Sequence, residues 1–301
     1  MHTASLHRAA RLAAIAALTL GSTIASGAAA TADASWRPGS AVEVKLSAAG
    51  LQAPMRHAGG TVTFRVETDD PAGRQLQIFR PHPGVGPDQV LHDFAQAVSH
   101  DPATSAAGIR AARADAEALG GALVTPQVPV TVSEDITPGT VYLVDFSEIL
   151  AHPEVTPPVK ALELCGDEGG RLPRFPHGIV IQQETAAGPR FQTEDVRDAD
   201  GDFLVHNSAP ELHEMQLQPV APGTTDDQVQ AFFDSLVQGN PIAPPFTGQP
   251  VGLGVISPDR DAVFHAHDLP PGTYVLLCFV PDDQLGVPHA FLGMHKIVQL
   301  G

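Results

Sequence analysis

The amino-acid sequence predicts an all-β fold, arranged as two tandem Greek-key β-sandwiches with short helical insertions. Three observations carry that reading. The chain repeats itself, its apolar runs are short, and 28 glycines and 28 prolines punctuate its 301 residues. Runs of about four to eight apolar or alternating residues closed by Gly and Pro read as strands. Several such strands in succession read as a sandwich.

The repeat sets the domain count. PHPGVGPDQV (Pro81 to Val90) matches VAPGTTDDQV (Val220 to Val229) at an offset of 139 residues. PGTVYLVDF (Pro138 to Phe146) matches PGTYVLLCF (Pro271 to Phe279) at an offset of 133. KALELCG (Lys160 to Gly166) matches KIVQLG (Lys296 to Gly301), and VEVKL (Val42 to Leu46) resembles GIVIQQ (Gly178 to Gln183). Each copy is thus a domain of about 130 residues, a normal domain size. The expected division is 36–166 and 167–301, joined by the Gly/Pro-rich segment Gly166 to Pro176.

Within each copy the elements follow one order. VEVKL and GIVIQQ open the copies. GTVTFRVE and GDFLVHN leave glycine turns as strands, and LQIF and MQLQPV follow. A helix comes next. Asp227 to Leu236 has apolar residues at Val229, Phe232, Phe233 and Leu236, with Thr225 or Asp226 as N-cap. Its counterpart contains Val90, Phe94 and Val98, and the first copy carries a second, alanine-rich helix from about Ser105 to Leu119. These helices are expected to cover a sandwich edge or end. QVPVTVSE and DAVFHAHD then alternate apolar and polar residues and lead into the Pro-Gly turns.

Composition bounds the function. A length of 301 residues suits two domains, and 43% hydrophobic content is ample for their cores. A net charge of −17 argues against nucleic acid and anionic lipid as partners, since both need basic patches. Residues 1–32 read as a signal peptide. His7, Arg8 and Arg11 precede the apolar run Leu12 to Ile24, and small residues suited to cleavage follow at Ala28-Ala29-Ala30 and Ala30-Thr31-Ala32. The expected product is exported and soluble, with no later membrane span. The chain contains no G-x-S-x-G elbow, P-loop or dinucleotide fingerprint.

Chemistry concentrates near the C-terminus. Tyr274 to Phe279 is an apolar strand with Cys278 near its end. A polar loop leads to His289, and Gly293-Met294 opens a final strand. Earlier in the same copy, LVHNSAPELHEMQL offers Asn207 and His213. Two imidazoles, a thiolate and a thioether describe a blue-copper site. These two segments resemble the cupredoxins, the blue-copper protein family. The resemblance implies a single copper in the second domain, bound by His213, Cys278, His289 and Met294. It also implies that Asn207 ties the ligand loops together. In that family only a few residues separate the Cys from the second His, whereas here Phe279 to Pro288 intervene. Cys278 could instead be a core thiol, or the partner of Cys165 in a disulfide; the repeat disfavours the bridge by assigning the two to different domains.

The first copy is an internal control. Arg74 stands where His213 does, Asp145 for Cys278 and Pro158 for Met294, with His152 close to the place of His289. It is expected to be a sandwich without metal. His265-Ala266-His267 resembles the His-x-His pairs of multicopper oxidases, but no His-Cys-His sequence accompanies it. Asp198 to Asp202 resembles part of a calcium loop yet lacks the closing Glu, and reads as a hairpin turn. The function the resemblance implies is an exported copper protein, a one-electron carrier serving a redox partner protein and not an enzyme. The alternative is a metal-free sandwich that acts as an interaction module. A copper oxidase or reductase would need a second metal or an open substrate position.

Overall fold

A computed structural model describes residues 40–166 and 176–301. The predicted signal peptide, the predicted starts of the two domains at residues 36 and 167 and most of the joining segment lie outside the described residues. The first repeat contains β1 (Val42–Leu46), β2 (Arg56–Ala58), β3 (Gly60–Thr68), β4 (Arg74–Pro81), α1 (Pro87–Ala97), α2 (Pro102–Asp115), β5 (Ala116–Val124), β6 (Val130–Ile136), β7 (Gly139–Asp145), α3 (Phe146–Ala151) and β8 (Val159–Cys165). The second contains β9 (Gly178–Thr185), β10 (Gly188–Glu194), β11 (Phe203–Asn207), β12 (His213–Pro219), α4 (Asp226–Val237), β13 (Val251–Ile256), β14 (Asp261–Ala266), β15 (Gly272–Leu277) and β16 (His295–Leu300). No helix among the described residues is long and apolar enough to cross a membrane.

The strands form two sheets, and each sheet runs through both repeats. The seven-stranded sheet has the order β1-β3-β6-β14-β11-β9-β10, and the nine-stranded sheet β16-β15-β12-β13-β5-β4-β7-β8-β2. The crossings join equivalent strands. β6 pairs antiparallel with β14, Val132 opposite Phe264, and β5 pairs antiparallel with β13, Ala122 opposite Leu253. Equivalent strands that pair antiparallel relate the repeats by a local two-fold. The repeats also share an unusual opening, with β1 parallel to β3 and β9 parallel to β11.

The alternation legible in β3 explains the main core. Val62, Phe64 and Val66 are buried between the sheets, while Thr61, Thr63 and Arg65 point outward. The helices do not cap an edge, as expected, but cover the outer face of the nine-stranded sheet. Phe79 and Val144 pack under Val90 and Phe94 of α1; Val275 and Leu277 pack under Val229 and Phe233 of α4. That face is apolar and needs a cover. α4 starts with Thr225 as N-cap in a capping box with Gln228.

One element boundary differs from the expectation. The alanine-rich helix spans Pro102–Asp115, with Asp101 as N-cap, and residues 116–124 form β5. Gly120 and Gly121 take φ of 63° and 133°, which no helix accommodates, and β5 gains ladders to both β4 and β13. β2, β10, β13 and the short α3 are elements the sequence reading did not assign.

Candidate metal centre

Three strand ends converge at one end of the second repeat. His213 opens β12, Cys278 follows β15 directly, and Met294 precedes β16 directly. β15 pairs with β12 (Leu277 opposite Gln216) and with β16 (Leu277 opposite His295). Cys278 and Met294 are the residues next beyond that last pair, one on each chain segment. A β-bulge between His213 and Met215 shifts β12 against β13, so that His213, Glu214 and Met215 are all buried. Bulges of this kind re-aim a side chain.

The long segment between Cys278 and His289 folds back on itself. Pro281 bridges Pro288, Asp282 N–H donates to the Val287 carbonyl at 2.9 Å, and His289 N–H donates to the Val280 carbonyl at 3.0 Å. The excursion is closed at its base, and His289 re-enters beside Cys278. Ala290 N–H then donates to the Cys278 carbonyl at 2.7 Å, and Met294 N–H to the His289 carbonyl at 3.0 Å. The departure in spacing therefore leaves the donors adjacent.

Nδ1 of His213 and Nδ1 of His289 each lie 3.6 Å from Cys278 Sγ, and their ring centroids are 4.5 Å apart. The three donor atoms lie within 4.8 Å of one another, and all three residues are buried. For an ion bound at ~2.0 Å to nitrogen and ~2.3 Å to sulfur, a trigonal arrangement puts N and S roughly 3.7 Å apart. The donor set fits one copper ion of the blue-copper type. Met294 is fully buried in the same core as Cys278. Both cysteines are free, with Cys165 exposed.

The electrostatics suit a metal ligand set. Burial, helped by His289, pushes His213 well below the usual imidazole range, so its ring is neutral and its lone pair available. Its other nitrogen, Nε2, is buried with no hydrogen-bond partner among the described residues. Burial and the nearby Glu214 push the Cys278 thiol well up. Metal binding must therefore displace its proton.

Two carboxylates that the sequence reading did not single out surround the donors. Glu214 N–H donates to Cys278 Sγ at 3.5 Å, while the Glu214 carboxylate accepts from Phe279 N–H at 2.9 Å, from Gln216 and from Gln75 of the first repeat. Burial pushes Glu214 up to about 7 despite these donors. Glu211 Oε2 lies 3.3 Å from His289 Nε2 and accepts from Asp283 N–H at 2.9 Å. A carboxylate behind a ligating imidazole orients the ring. Asn207 holds only one ligand segment directly. Its amide donates to the Glu211 and Ile256 carbonyls at 2.8 and 3.1 Å, and its oxygen accepts from Ala209 N–H. The link onward to the His289 segment runs through Glu211. The only cue in sequence is that ELHE places acids on both sides of His213.

In the first repeat, an ion pair occupies the equivalent place. Arg74 contacts Asp145 at 3.1 Å, Asp70 at 2.8 Å and also Glu148. The guanidinium joins the strand ends that His213 and Cys278 mark in the second repeat, and His152 lies out at the surface. His265 and His267 face each other at 4.3 Å between ring centroids. His267 Nε2 is 2.6 Å from Thr131 Oγ1, and Asp202 and Asp200 flank His265 at 3.3 and 3.6 Å. They do not join any close group of three donors among the described residues. Asp198 Oδ1 accepts from Asp200 N–H, consistent with a turn.

No family profile matches the chain. No curated protein matches it in sequence. Among solved structures it is similar to reduced auracyanin from the photosynthetic bacterium Roseiflexus castenholzii, at 14% identity and a TM-score of 0.26, covering 41% of this chain and 94% of that one. Reduced rusticyanin is similar at 18% identity and a TM-score of 0.23, covering 41% and 78%. The copper-containing nitrite reductase of Thermus scotoductus SA-01 covers 87% of this chain and 61% of its own, at 13% identity and a TM-score of 0.23. These likenesses assign no residue; the ligand set stands on the distances above. The two sheets pack face to face around one core that spans both repeats, which makes the fold a two-layer β-sandwich.

Proposed function

We propose that the protein is an exported one-electron carrier with a single copper in its second repeat. The observation that carries this reading is the buried trio of His213, Cys278 and His289, whose donor atoms lie within 4.8 Å of one another. When bound, copper supplies one electron of redox capacity. The residues do the rest. Two imidazoles and a thiolate suit copper, and Met294 is the candidate for a long, weak axial contact. Burial of every donor excludes water, and the Glu211 carboxylate closes off the outer edge of His289. Such a closed centre favours electron transfer to a partner protein over chemistry on a substrate. The basic, apolar and small-residue regions of 1–32 support export.

Titration of the mature protein with copper(II) tests the reading. One equivalent should produce intense visible absorption from the cysteine thiolate. Cys278→Ser should abolish it, His213→Ala should abolish or greatly alter it, and Cys165→Ser should leave it unchanged. Uptake without colour, or without dependence on Cys278, would remove the carrier reading and leave the metal-free interaction module in its place.

A further inference from the structure

α2 has no counterpart in the second repeat, and it lies against the second repeat's long loop. The loop tip, Gly286, has φ of 63° and meets the Pro102 carbonyl at the start of α2, so closely that a Cβ there would overlap it. Near the end of the same helix, Arg110 donates to the Asp283 carbonyl. Arg113 Nη1 lies 3.1 Å from Asp283 Oδ2 and donates to the Pro210 carbonyl at 2.7 Å. Pro210 stands three residues before His213, and Asp283 stands in the loop that leads to His289. Asp283 N–H donates to Glu211, which faces His289 Nε2.

One guanidinium of the first repeat therefore touches both segments that carry the histidines of the second. It also sits where two acids, Asp283 and Glu211, are held close together. Without Arg113 only Arg110 would offset their mutual repulsion, which would push the loop away from the His213 segment. We infer that Arg113 is a positioning residue for the metal centre, and that the ligand-free first repeat serves as the outer frame of the site in the second. The inference rests on the copper reading for its redox consequence, but not for its structural one.

The test therefore has a metal-free arm and a copper arm, both in the full-length mature chain. In a Cys165→Ser background Cys278 is the only thiol, and it is buried. Arg113→Ala should raise its reaction rate with a small thiol reagent at least ~10-fold under native conditions, because local opening sets that rate. Arg113→Lys should recover part of the protection. Arg65→Ala removes an equal charge far from the loops and should leave the rate unchanged. With copper bound, Arg113→Ala should broaden the visible and electron-spin spectra and lower the reduction potential. An unchanged thiol rate, with spectrum and potential also unchanged, would overturn the inference. So would a lower urea midpoint in Arg113→Ala with native-state protection intact, since that is a purely structural role. If the wild type takes up no copper the carrier reading falls, while the thiol arm still decides the role of Arg113.

Discussion

At the scale of single residues, the site divides into donors and the groups that hold them. The donors were singled out in sequence because soft sulfur ligands and imidazoles suit copper, and because Cys278, His289 and Met294 lie on or beside one inter-strand loop with His213 before an earlier strand. Glu211 and Glu214 were not, since an acid beside a His is common on any surface. Only the bulge at His213 turns this stretch inward. Glu211→Gln should weaken copper binding about 10-fold or more, because it removes the carboxylate that orients His289. Competition with a chelator of known affinity measures this, and an unchanged affinity would deny Glu211 that role. Met294→Leu should shift the reduction potential and leave binding largely intact, as a long axial bond predicts. In the first repeat Arg74 and Asp145 are both little exposed and paired at 3.1 Å. Arg74→Ala leaves Asp145 without its cation and should cost about 3 kcal/mol or more in urea unfolding. Asp145→Asn in the same chain should recover part of that loss, because the most buried of the three acids around Arg74 then carries no unpaired charge.

At the scale of elements, the sequence was most legible where one face or one turn decided the outcome. The Pro-Gly turns before β7 and β15, the alternation of β3 and the capping signal of α4 depend on neighbours in the chain, and all appear near their expected places. The strand β5 that follows α2 and the strand β13 are fixed by long-range ladders, to β4 and β12 within the repeats and to each other between them, which local patterns do not record. The loop from Phe279 to Pro288 belongs to the second kind. Its length departs from the resembled family, yet its base is closed by hydrogen bonds from His289 and Asp282, and its tip is seated on Pro102. Gly286 is central to that seating. Gly286→Ala combines a left-handed backbone with a Cβ directed at a carbonyl, and should cost about 1–3 kcal/mol. Urea unfolding measures the cost. Hydrogen exchange should show faster amides at Asp282 and His289, while the core of β3 stays protected. Equal exchange in both chains would mean that the loop holds its shape without α2.

At the scale of the whole molecule, the repeats share both sheets, so neither has a complete core boundary of its own. The β5–β13 and β6–β14 ladders make them one cooperative unit, and hydrogen exchange should find no denaturant range in which one repeat opens alone. Charge also crosses the seam. Arg260, in the β13–β14 turn, reaches Glu134 of β6 at 2.8 Å and Glu117 of β5 at 2.6 Å. Glu134 is fully buried. One of its oxygens faces Arg260, while the other, Oε1, is buried with no donor among the described residues. Burial outweighs the attraction of Arg260 and pushes Glu134 up to about 7 from an ordinary 4.5. The folded state thus binds this proton more tightly than the unfolded chain does. The resulting stabilisation is complete below pH 4.5 and is lost as pH rises through 7, a change on the order of 3 kcal/mol. Glu214, pushed up to about 7 by burial, adds a change of the same sign. Glu134 and Glu214 should therefore pull the urea midpoint of the metal-free protein down between about pH 5 and 7, against the opposite slope of buried His213, whose lowered pKa adds stability as pH rises toward 6.5. Glu134→Gln keeps an acceptor for Arg260 but cannot ionise, so its midpoint should fall less steeply over that window, with Glu214 supplying the remaining slope. Parallel curves for the two proteins would mean that Arg260 and not burial governs Glu134, and that the seam is held by a permanently ionised pair.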